Sequence, residues 1–577
     1  MINQFYQQEL SNLRELAVEF SKAHPALAPM LSGPSQDPDV ERLLEGAAFL
    51  TGLLRQKLND EFPEVVHGLM RLIFPHYLRP IPATTIMAFT PKPSLRETIT
   101  VPAGTALDSV PIDQTKCRFR TCYDVKVDPL SISEAQWLTA PGAPTSLRLR
   151  FKLKGLPLSE WTPGSLRLHI SGAYPGAAGL YLLLFHNLSR VTVKPVGDGQ
   201  ALMMGPDCIS PVGLGRDEGL FPYPTQSFPG YRILQEYFIL PQKFLFLDVI
   251  GLERWRDRGA GSEFDLIFEL DGKPDVLPQV KPDTFVLFAS PAVNLFPHEA
   301  DPIYLDHRQT EYKITPSGGH PDHYQVYSVT SVVGFAPGTV ERKEYFPFEL
   351  FVSQSGEASV YYVNRRPSAI RPEPEAYLSV AYPPRSDPPQ PETLSINLLC
   401  TNANLPENLK YGDISEATDS SPELCEFRNI QPPTAQVQPP LGKNLLWRFL
   451  SHLSLNLLSL ADVASLKALL KLYIFPDGRD RTSIMANEKR IEGITGFEAD
   501  MVDRLVKGMV MRGQEIRLRI SPDQFASPGD AFLFGMIMDR FLAGYASINC
   551  FTRLRVEDTL KGEVYQWPLR LGDHPLI

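Results

Sequence analysis

The spacing of the apolar residues changes near residue 82, and this change constrains the fold more than any other feature of the sequence. Before it, apolar residues recur every three or four positions, as on one face of an α-helix; after it, they alternate with polar residues, as in β-strands. From about residue 441 the helical spacing returns. These three regimes predict an α+β multidomain protein with an N-terminal helical arm, β-rich, sandwich-like middle domains and a mixed α/β C-terminal domain.

We place the domain boundaries where the spacing changes or where prolines cluster. Residues 1–82 form the helical arm, residues 83–290 and 291–440 form two β-rich domains, and residues 441–577 form the C-terminal domain. Proline accounts for 54 of the 577 residues, roughly twice the usual ~5%. Because proline is excluded from helix interiors and central strands, this content indicates many loops and edge strands.

Three helices are expected in the arm. The first ends at Pro25, the second begins at Asp37-Pro38, where a good capping residue precedes a proline, and the third runs from about Glu64 to Phe74. An apolar stripe about six turns long follows the second helix; its members are Val40, Leu43, Leu44, Ala47, Leu50, Leu54, Leu58 and Phe62. A stripe of that length needs a helical partner, in this chain or in another.

The segment after the third helix is predicted to be a rigid elbow that leads into the β-rich region. Pro75 ends the helix, and Pro80 and Pro82 favour extended backbone. We interpret His67 and His76 as packing or surface groups, because nothing in the sequence positions a nucleophile beside them.

The clearest strand is LRLRFKLK at 147–154, in which four apolar residues alternate with four cations. The cations either protect an exposed strand against sheet-to-sheet aggregation or form a row that docks an acidic partner. We expect SLRLHIS at 165–171 to pair with this strand. Farther on, the apolar run from Asn444 to Phe475 is expected to form two helices divided near residues 460–462, followed by a strand at 515–521, a helix at 531–545 and a strand at 547–558.

Several kinds of chemistry are not supported by the sequence. It contains no phosphate-binding P-loop, no HExxH and no GxSxG, and GLGRDEG at 213–219 misses the dinucleotide spacing by one residue. The net charge of −10 and the pI of about 5.7 argue against a general nucleic-acid binder. The remaining catalytic candidate is the histidine-rich region 298–323, whose imidazoles and carboxylates could bind zinc or iron, or could be solvated loop residues.

The sequence also bears on compartment. The N-terminus has neither a basic nor an apolar signal region, and no run of 18 apolar residues occurs. Six cysteines in a chain of this length do not make a disulfide framework. We therefore expect a reduced cytoplasmic protein.

Several long stretches resemble one known family. The runs FYQQELSNLRELAVEFSKAHPALAPML, DPDVERLLEGAAFLTGLLRQKLNDEFPE and LMRLIFPHYLRPIP are similar to the opening of TssF, the type VI secretion system baseplate subunit family also called VasA or ImpG. Further similar segments follow in order at 293–314, 324–332, 396–409, 502–520 and 532–554. In addition, TITVPAGTAL (98–107) and CRFRTCYDV (117–125) resemble a module of contractile-phage baseplate wedge proteins.

The resemblance implies a structural protein that is not an enzyme, with no cofactor, no metal and no catalytic residues. In the family, two copies of TssF combine with one TssG to make a wedge, and six wedges surround the spike protein VgrG. TssK links the wedge to the membrane complex, and TssE links it to the contractile sheath. Such a protein would be cytoplasmic, recruited to the inner-membrane-anchored complex, and would neither insert into the membrane nor bind nucleic acid.

Under this hypothesis the helical arm serves wedge assembly by pairing with helices of TssG and of a second TssF copy. The candidate partner-binding residues are Tyr6, Leu10, Leu13, Leu43, Leu50, Leu54 and Leu58. Two alternatives stay open from the residues alone: a metal-dependent hydrolase that uses region 298–323, and a β-rich carbohydrate- or peptide-binding protein with a helical oligomerisation arm.

Overall fold

The described part of the chain contains eight α-helices and six β-sheets, which confirms the predicted α+β multidomain class. The computed structural model describes residues 2–24, 38–59, 63–223, 227–272, 274, 276–338, 342–350, 359–368, 373–382, 390–441, 462–475, 480–506 and 508–572, without the side chains of residues 2–5, 53–59, 63–66 and 350. Contacts divide the chain into two units, residues 1–73 with 441–451 and residues 74–440 with 452–577.

The first unit is helical. Its helices are α1 (Ile2–Ala23), α2 (Pro38–Asn59) and α3 (Pro63–Ile73), which confirms the three predicted helices. Both α2 and α3 begin with proline, whose fixed φ suits the first helical position and whose missing N–H is not needed there. Helices α1 and α2 pack against each other.

The first sheet of the second unit joins distant parts of the chain. Its five strands lie in the order Cys425–Asn429, Thr84–Pro91, Ala289–Val293, Thr115–Thr121 and Ala106–Ile112. The predicted boundary between residues 290 and 291 falls within one of these strands, so the sheet contains segments that the predicted division separates. The four-part division remains a prediction.

The strand predicted at 147–154 is observed as Ser146–Leu153, with its apolar side chains buried. It lies in a sheet of order Leu202–Met204, Leu188–Pro195, Glu263–Leu270, Ser146–Leu153 and Leu130–Leu138. The predicted pairing with the run at 165–171 is wrong. Leu166–Ile170 belongs to a separate sheet of order Ile209–Pro211, Phe246–Val249, Leu166–Ile170 and Phe285–Leu287. Alternation predicts which face of a strand is buried, but it does not select the neighbouring strand.

The largest sheet has eight strands and its own apolar core, which includes Val332, Leu378, Leu394 and Ile396. Its order is Phe296–Glu299, Glu392–Thr401, Gln325–Phe335, Arg342–Pro347, Val360–Arg366, Glu375–Ala381 and Tyr312–Lys313, and Ile303–Leu305 pairs with Glu392–Thr401. A two-stranded sheet pairs Ile99–Val101 with Val125–Val127.

The remaining helices are α4 (Tyr174–His186), α5 (Pro229–Ile239), α6 (Val463–Leu472), α7 (Arg481–Glu492) and α8 (Pro528–Ala543). Helix α6 begins after Asp462, whose side chain accepts a hydrogen bond from the N–H of Ser465 at 3.1 Å. The helix predicted before it, from residue 444, lies outside the described residues. Helix α8 is buried along most of its length and packs against α4 and α5.

The last sheet follows the prediction for the C-terminal region. Its strands are Ile494–Val506, Met509–Ile520, Cys550–Asp558 and Val564–Gln566, and Arg570–Leu571 pairs with Cys550–Asp558. Helix α8 connects the two strands that pair in parallel, Met509–Ile520 and Cys550–Asp558. In the part of the chain that is described, no helix combines the length and the apolar character needed to cross a membrane.

Candidate functional site

Several of the buried residues of α1 and α2 are small. Ala17 and Ser21 of α1 are buried, as are Ala48 and Gly52 of α2, and Ala48 is 0% exposed. The Ser21 hydroxyl donates to the carbonyl of Val18 at 2.7 Å, so its burial leaves no polar group without a partner. Small residues at a helix contact let the two helices approach closely.

Large apolar side chains point away from this contact. Leu43 is 74% exposed and Leu50 is 64% exposed on α2, and Leu16 and Phe20 on α1 are each about half exposed. Leu43 and Leu50 are seven positions apart and therefore lie on one face of the helix. Burying a leucine side chain stabilises a protein by about 2 kcal/mol. The exposure of these two leucines therefore leaves several kcal/mol of burial free energy unused.

The apolar stripe predicted on α2 is therefore divided between two environments. Val40 and Leu44 are half-buried and lie on the side of Ala48, whereas Leu43, Ala47 and Leu50 are exposed. One edge of the stripe meets α1, and the other edge stays open. The predicted need for a helical partner is only partly met by this chain.

An apolar groove runs beside the helix contact. It encloses about 560 Å³, and its lining is apolar except for Glu19: Leu13, Leu16, Ala17, Phe20, Ala23 and Leu44. An ion pair between Arg14 and Glu41 bridges α1 and α2. An exposed pair of this kind contributes little to stability, so the helix contact depends on packing.

The candidate partner-binding residues fall into three groups. Leu10 is buried and Tyr6 and Leu13 are half-buried, while Leu43 and Leu50 are exposed. The side chains of Leu54 and Leu58 lie outside the described residues. Leu16 and Phe49, both about half exposed, were missed as candidates. The signal for Leu16 was its position between Leu13 and Phe20 at spacings of three and four.

The elbow after α3 belongs to the second unit and is locked there by specific contacts. Pro75–Leu78 form a short 3-10 helix, and the Tyr77 hydroxyl donates to the carbonyl of Leu472 at 2.8 Å. Arg365 donates to the carbonyl of Leu78 at 2.9 Å, and burial lowers the pKa of Arg365 to about 9, so it stays charged at neutral pH. His76 is buried with its ring centroid 4.8 Å from that of Tyr223, a packing position.

The histidines of region 298–323 contact different polar partners, and His320 stacks on His323 with ring centroids 4.9 Å apart. His298 Nε2 lies 2.8 Å from the carbonyl of Ser317, His323 Nδ1 lies 2.7 Å from the hydroxyl of Thr115, and His307 Nε2 lies 3.2 Å from the carbonyl of Gln390. Nowhere among the described residues do three or more histidines, cysteines or carboxylates come together as metal ligands would. The hydrolase alternative gains no support from this geometry.

The row of cations on strand Ser146–Leu153 is paired within its own sheet. Arg150 makes two hydrogen bonds to Asp265, at 2.8 and 3.0 Å, Arg148 donates to Glu134 at 2.9 Å, and Lys152 pairs with Glu263 at 2.9 Å. The hydrogen bonds to Asp265 also raise the pKa of Arg150. The interpretation of an exposed strand is wrong, because the strand has a neighbour on each side. Carboxylates of those neighbours bind three of the four cations, and docking of an acidic partner stays a prediction.

The glycine-containing loop 213–219 is closed on itself. One carboxylate oxygen of Glu218 accepts the N–H of Gly213 at 2.9 Å and that of Gly215 at 2.7 Å. Backbone amides that would hold a phosphate are thereby occupied by a side chain of the same loop. No phosphate site is supported here.

Comparison with known proteins agrees with the resemblance seen in the sequence. The family model described as "Type VI secretion system, TssF" matches residues 1–574. The type VI secretion system component TssF1 of Pseudomonas aeruginosa is 32% identical over 628 aligned positions, which cover 99% of this chain and 99% of that protein.

Two solved structures share the fold. A chain in a cryo-electron microscopy structure of a type VI TssK–TssF–TssG baseplate subcomplex is 29% identical, with a TM-score of 0.77 over 93% of this chain and 99% of that chain. A chain in a structure of the type VI baseplate complex is 24% identical, with a TM-score of 0.63 over the full length of both, and shows the fold alone. From the family model and the relative in Pseudomonas aeruginosa together, it follows that this chain belongs to the TssF family of type VI secretion systems.

Proposed function

We propose that this chain is a structural, non-catalytic subunit of a type VI secretion baseplate wedge. Two copies assemble with one TssG around the VgrG spike, and the wedge connects to TssK and to the sheath-linking subunit TssE, so that the contractile sheath and tail tube can assemble. The wedge is cytoplasmic and is recruited to the secretion complex anchored in the inner membrane. Membership of the TssF family and the similarity to a chain of a TssK–TssF–TssG subcomplex support this proposal.

The observation that carries the proposal is the uncovered apolar face of the first unit. Leu43 and Leu50 lie on this face, with Leu16 and Phe20 beside the neighbouring groove. A face of large exposed apolar side chains indicates a protein–protein contact. Its occupant in this proposal is a helical part of TssG and of the second TssF copy, because a helix fits a groove between two helices.

The experiment is co-purification of TssG with the full chain carrying Leu43→Asp and Leu50→Asp. Each substitution places a charge where an apolar contact forms, so the retained TssG is expected to fall more than about 10-fold. Helical circular dichroism is expected to stay unchanged, because both side chains are exposed in the chain alone.

The matched control is Arg42→Asp, which adds the same charge at a largely exposed position of the same helix. This variant is expected to retain TssG at the unmodified level. If the double variant retains TssG as well, the apolar face is not the TssG-binding surface and the proposal loses its main support.

A further inference from the structure

A second feature of the molecule, unrelated to the helices of the first unit, is a cleft of about 1490 Å³ in the second unit. Its wall includes Arg120 on strand Thr115–Thr121, Arg232 on α5, Arg540 on α8, and Arg570 on the last strand. The volume exceeds the ~300–1,000 Å³ of most small-molecule pockets. The cleft is therefore large enough for a segment of polypeptide.

Arg232 is buried and Arg540 is half-buried in the cleft wall, and neither has a full set of hydrogen bonds among the described residues. Arg232 is 4% exposed; its Nη2 donates to the carbonyl of Gly215 at 2.6 Å, but among the described residues its Nη1 has no partner. Gly219 leaves room for that nitrogen, because a Cβ at this position would lie 2.5 Å from it. Among the described residues, the buried Nε of Arg540 also has no hydrogen-bond partner. Burial, and then the nearby Arg570, lower the pKa of Arg540.

The carboxylates around the cleft are mostly engaged elsewhere. Asp539 binds Arg570 at 2.7 Å, Glu236 pairs with the buried Lys243, and Glu218 caps its own loop. Of the described cleft-lining residues, only Asp217 is acidic. Asp539 and Glu218 raise the pKa of Arg540 by attraction, but among the described residues neither hydrogen-bonds its buried Nε. A guanidinium nitrogen that is buried without a hydrogen-bond partner costs free energy, so an incoming anion would be stabilised.

The size and lining of the cleft favour one class of ligand. Phe221 and Phe228 lie in the same wall as the arginines, which suits a chain carrying both apolar groups and carboxylates. A free phosphate would fill a small part of the volume. A nucleic acid would need a broad positive field, whereas this chain has a net charge of −10.

We propose that this cleft binds an acidic peptide segment of another protein, whose carboxylates pair with Arg120, Arg232 and Arg540. Arginine suits this role because its planar guanidinium can bind a carboxylate through two parallel hydrogen bonds. The site is independent of the apolar face proposed to bind TssG, so each can fail without the other.

The test is fluorescence anisotropy with the full chain and a fluorescein-labelled peptide of alternating glutamate and leucine. Saturable binding is expected, and it should weaken as salt is raised. Arg540→Gln and, separately, Arg120→Gln are each expected to raise the dissociation constant about 10-fold or more, because a charge-assisted contact is lost. Arg120 and Arg540 are both half-buried and lie on different elements, so a variant that fails to fold leaves the other to test the proposal.

Arg308→Gln is the matched control, because this arginine has an 87% exposed side chain outside the cleft and should not affect the peptide. Leu50→Asp should also leave peptide binding unchanged. The proposal is overturned by the absence of saturable binding, by equal binding to Arg120→Gln and to the unmodified chain, by equal binding of a lysine–leucine peptide, or by displacement of the peptide with an equimolar amount of inorganic phosphate.

Discussion

At the scale of single residues, the second unit depends on a buried ion pair that ties its helices together. Asp530 on α8 accepts hydrogen bonds from Arg490 on α7 at 2.9 Å, from the hydroxyl of Tyr174 on α4 at 2.6 Å and from that of Tyr237 on α5 at 3.1 Å. Asp530→Leu should therefore destabilise the fold by about 3–5 kcal/mol, because Arg490 is left buried and uncompensated. Denaturant unfolding measures this loss.

The control for this prediction is a double-mutant cycle. Arg490→Met in the Asp530→Leu background should recover part of the stability, because the unpaired charge is removed. If the free-energy losses of the two single variants simply add in the double variant, the two side chains do not stabilise each other.

A second residue-scale prediction concerns pH. Burial lowers the pKa of His169 to about 4 from the ordinary 6.5, and its ring packs 4.4 Å from that of Phe246. Between these pH values the unfolded chain binds the proton and the folded chain does not. The contribution of neutral His169 to the free energy of unfolding is therefore fully present above pH 6.5 and is lost as the pH falls toward 4. The loss amounts to at most roughly 3 kcal/mol.

The measurement is the difference in unfolding free energy between the unmodified chain and His169→Leu as a function of pH. The difference in unfolding free energy should change between pH 6.5 and about 4, because the variant has no histidine to titrate at this position. His320→Gln, whose histidine side chain is 65% exposed, should leave the pH dependence as it was. A difference independent of pH would contradict a neutral, buried His169.

At the scale of elements, local spacing predicts more than partner choice. The helices of the arm and the strand Ser146–Leu153 follow from periods of about 3.6 and 2 residues, which depend on neighbours in the chain. The pairing of Thr84–Pro91 with Ala289–Val293 and Cys425–Asn429 leaves no local signal, because the partners lie hundreds of residues apart.

The candidate surface shows the same limit. The stripe on α2 predicts an apolar face, but which edge of it is covered depends on how α1 packs against α2. Ala17 of α1 and Ala48 of α2 are buried in the folded chain. The spacing of leucines alone does not contain that information. For the same reason the sequence could not show that carboxylates on adjacent strands neutralise the cations of Ser146–Leu153.

This packing gives an element-scale prediction for the helix pair. Ala48→Leu should push α1 and α2 apart and cost about 1–3 kcal/mol, because Ala48 is fully enclosed. Ala47→Leu is the matched control, since Ala47 is exposed one position away. Hydrogen exchange of the α2 amides should accelerate in the Ala48 variant and not in the Ala47 variant; equal exchange would contradict the observed helix contact.

At the scale of the whole molecule, the C-terminal residues belong to the same unit as the β-rich region. Helix α8 packs against α4 and α5, and Asp530 on α8 binds Tyr174 and Tyr237 on those helices. Removing α8 would expose the apolar faces of α4 and α5 and leave these buried polar groups without partners. The β-rich region is thus expected to need the C-terminal region in order to fold.

Two truncations test this expectation. A chain of residues 74–577 should unfold cooperatively and keep near-ultraviolet circular dichroism, because it contains the whole of the second unit. A chain of residues 74–440 should lose that signal and bind a hydrophobic dye, since the apolar surface that α8 covers is exposed. If the shorter chain instead unfolds as cooperatively as the longer one, the middle region folds by itself and α8 is a separable addition to it.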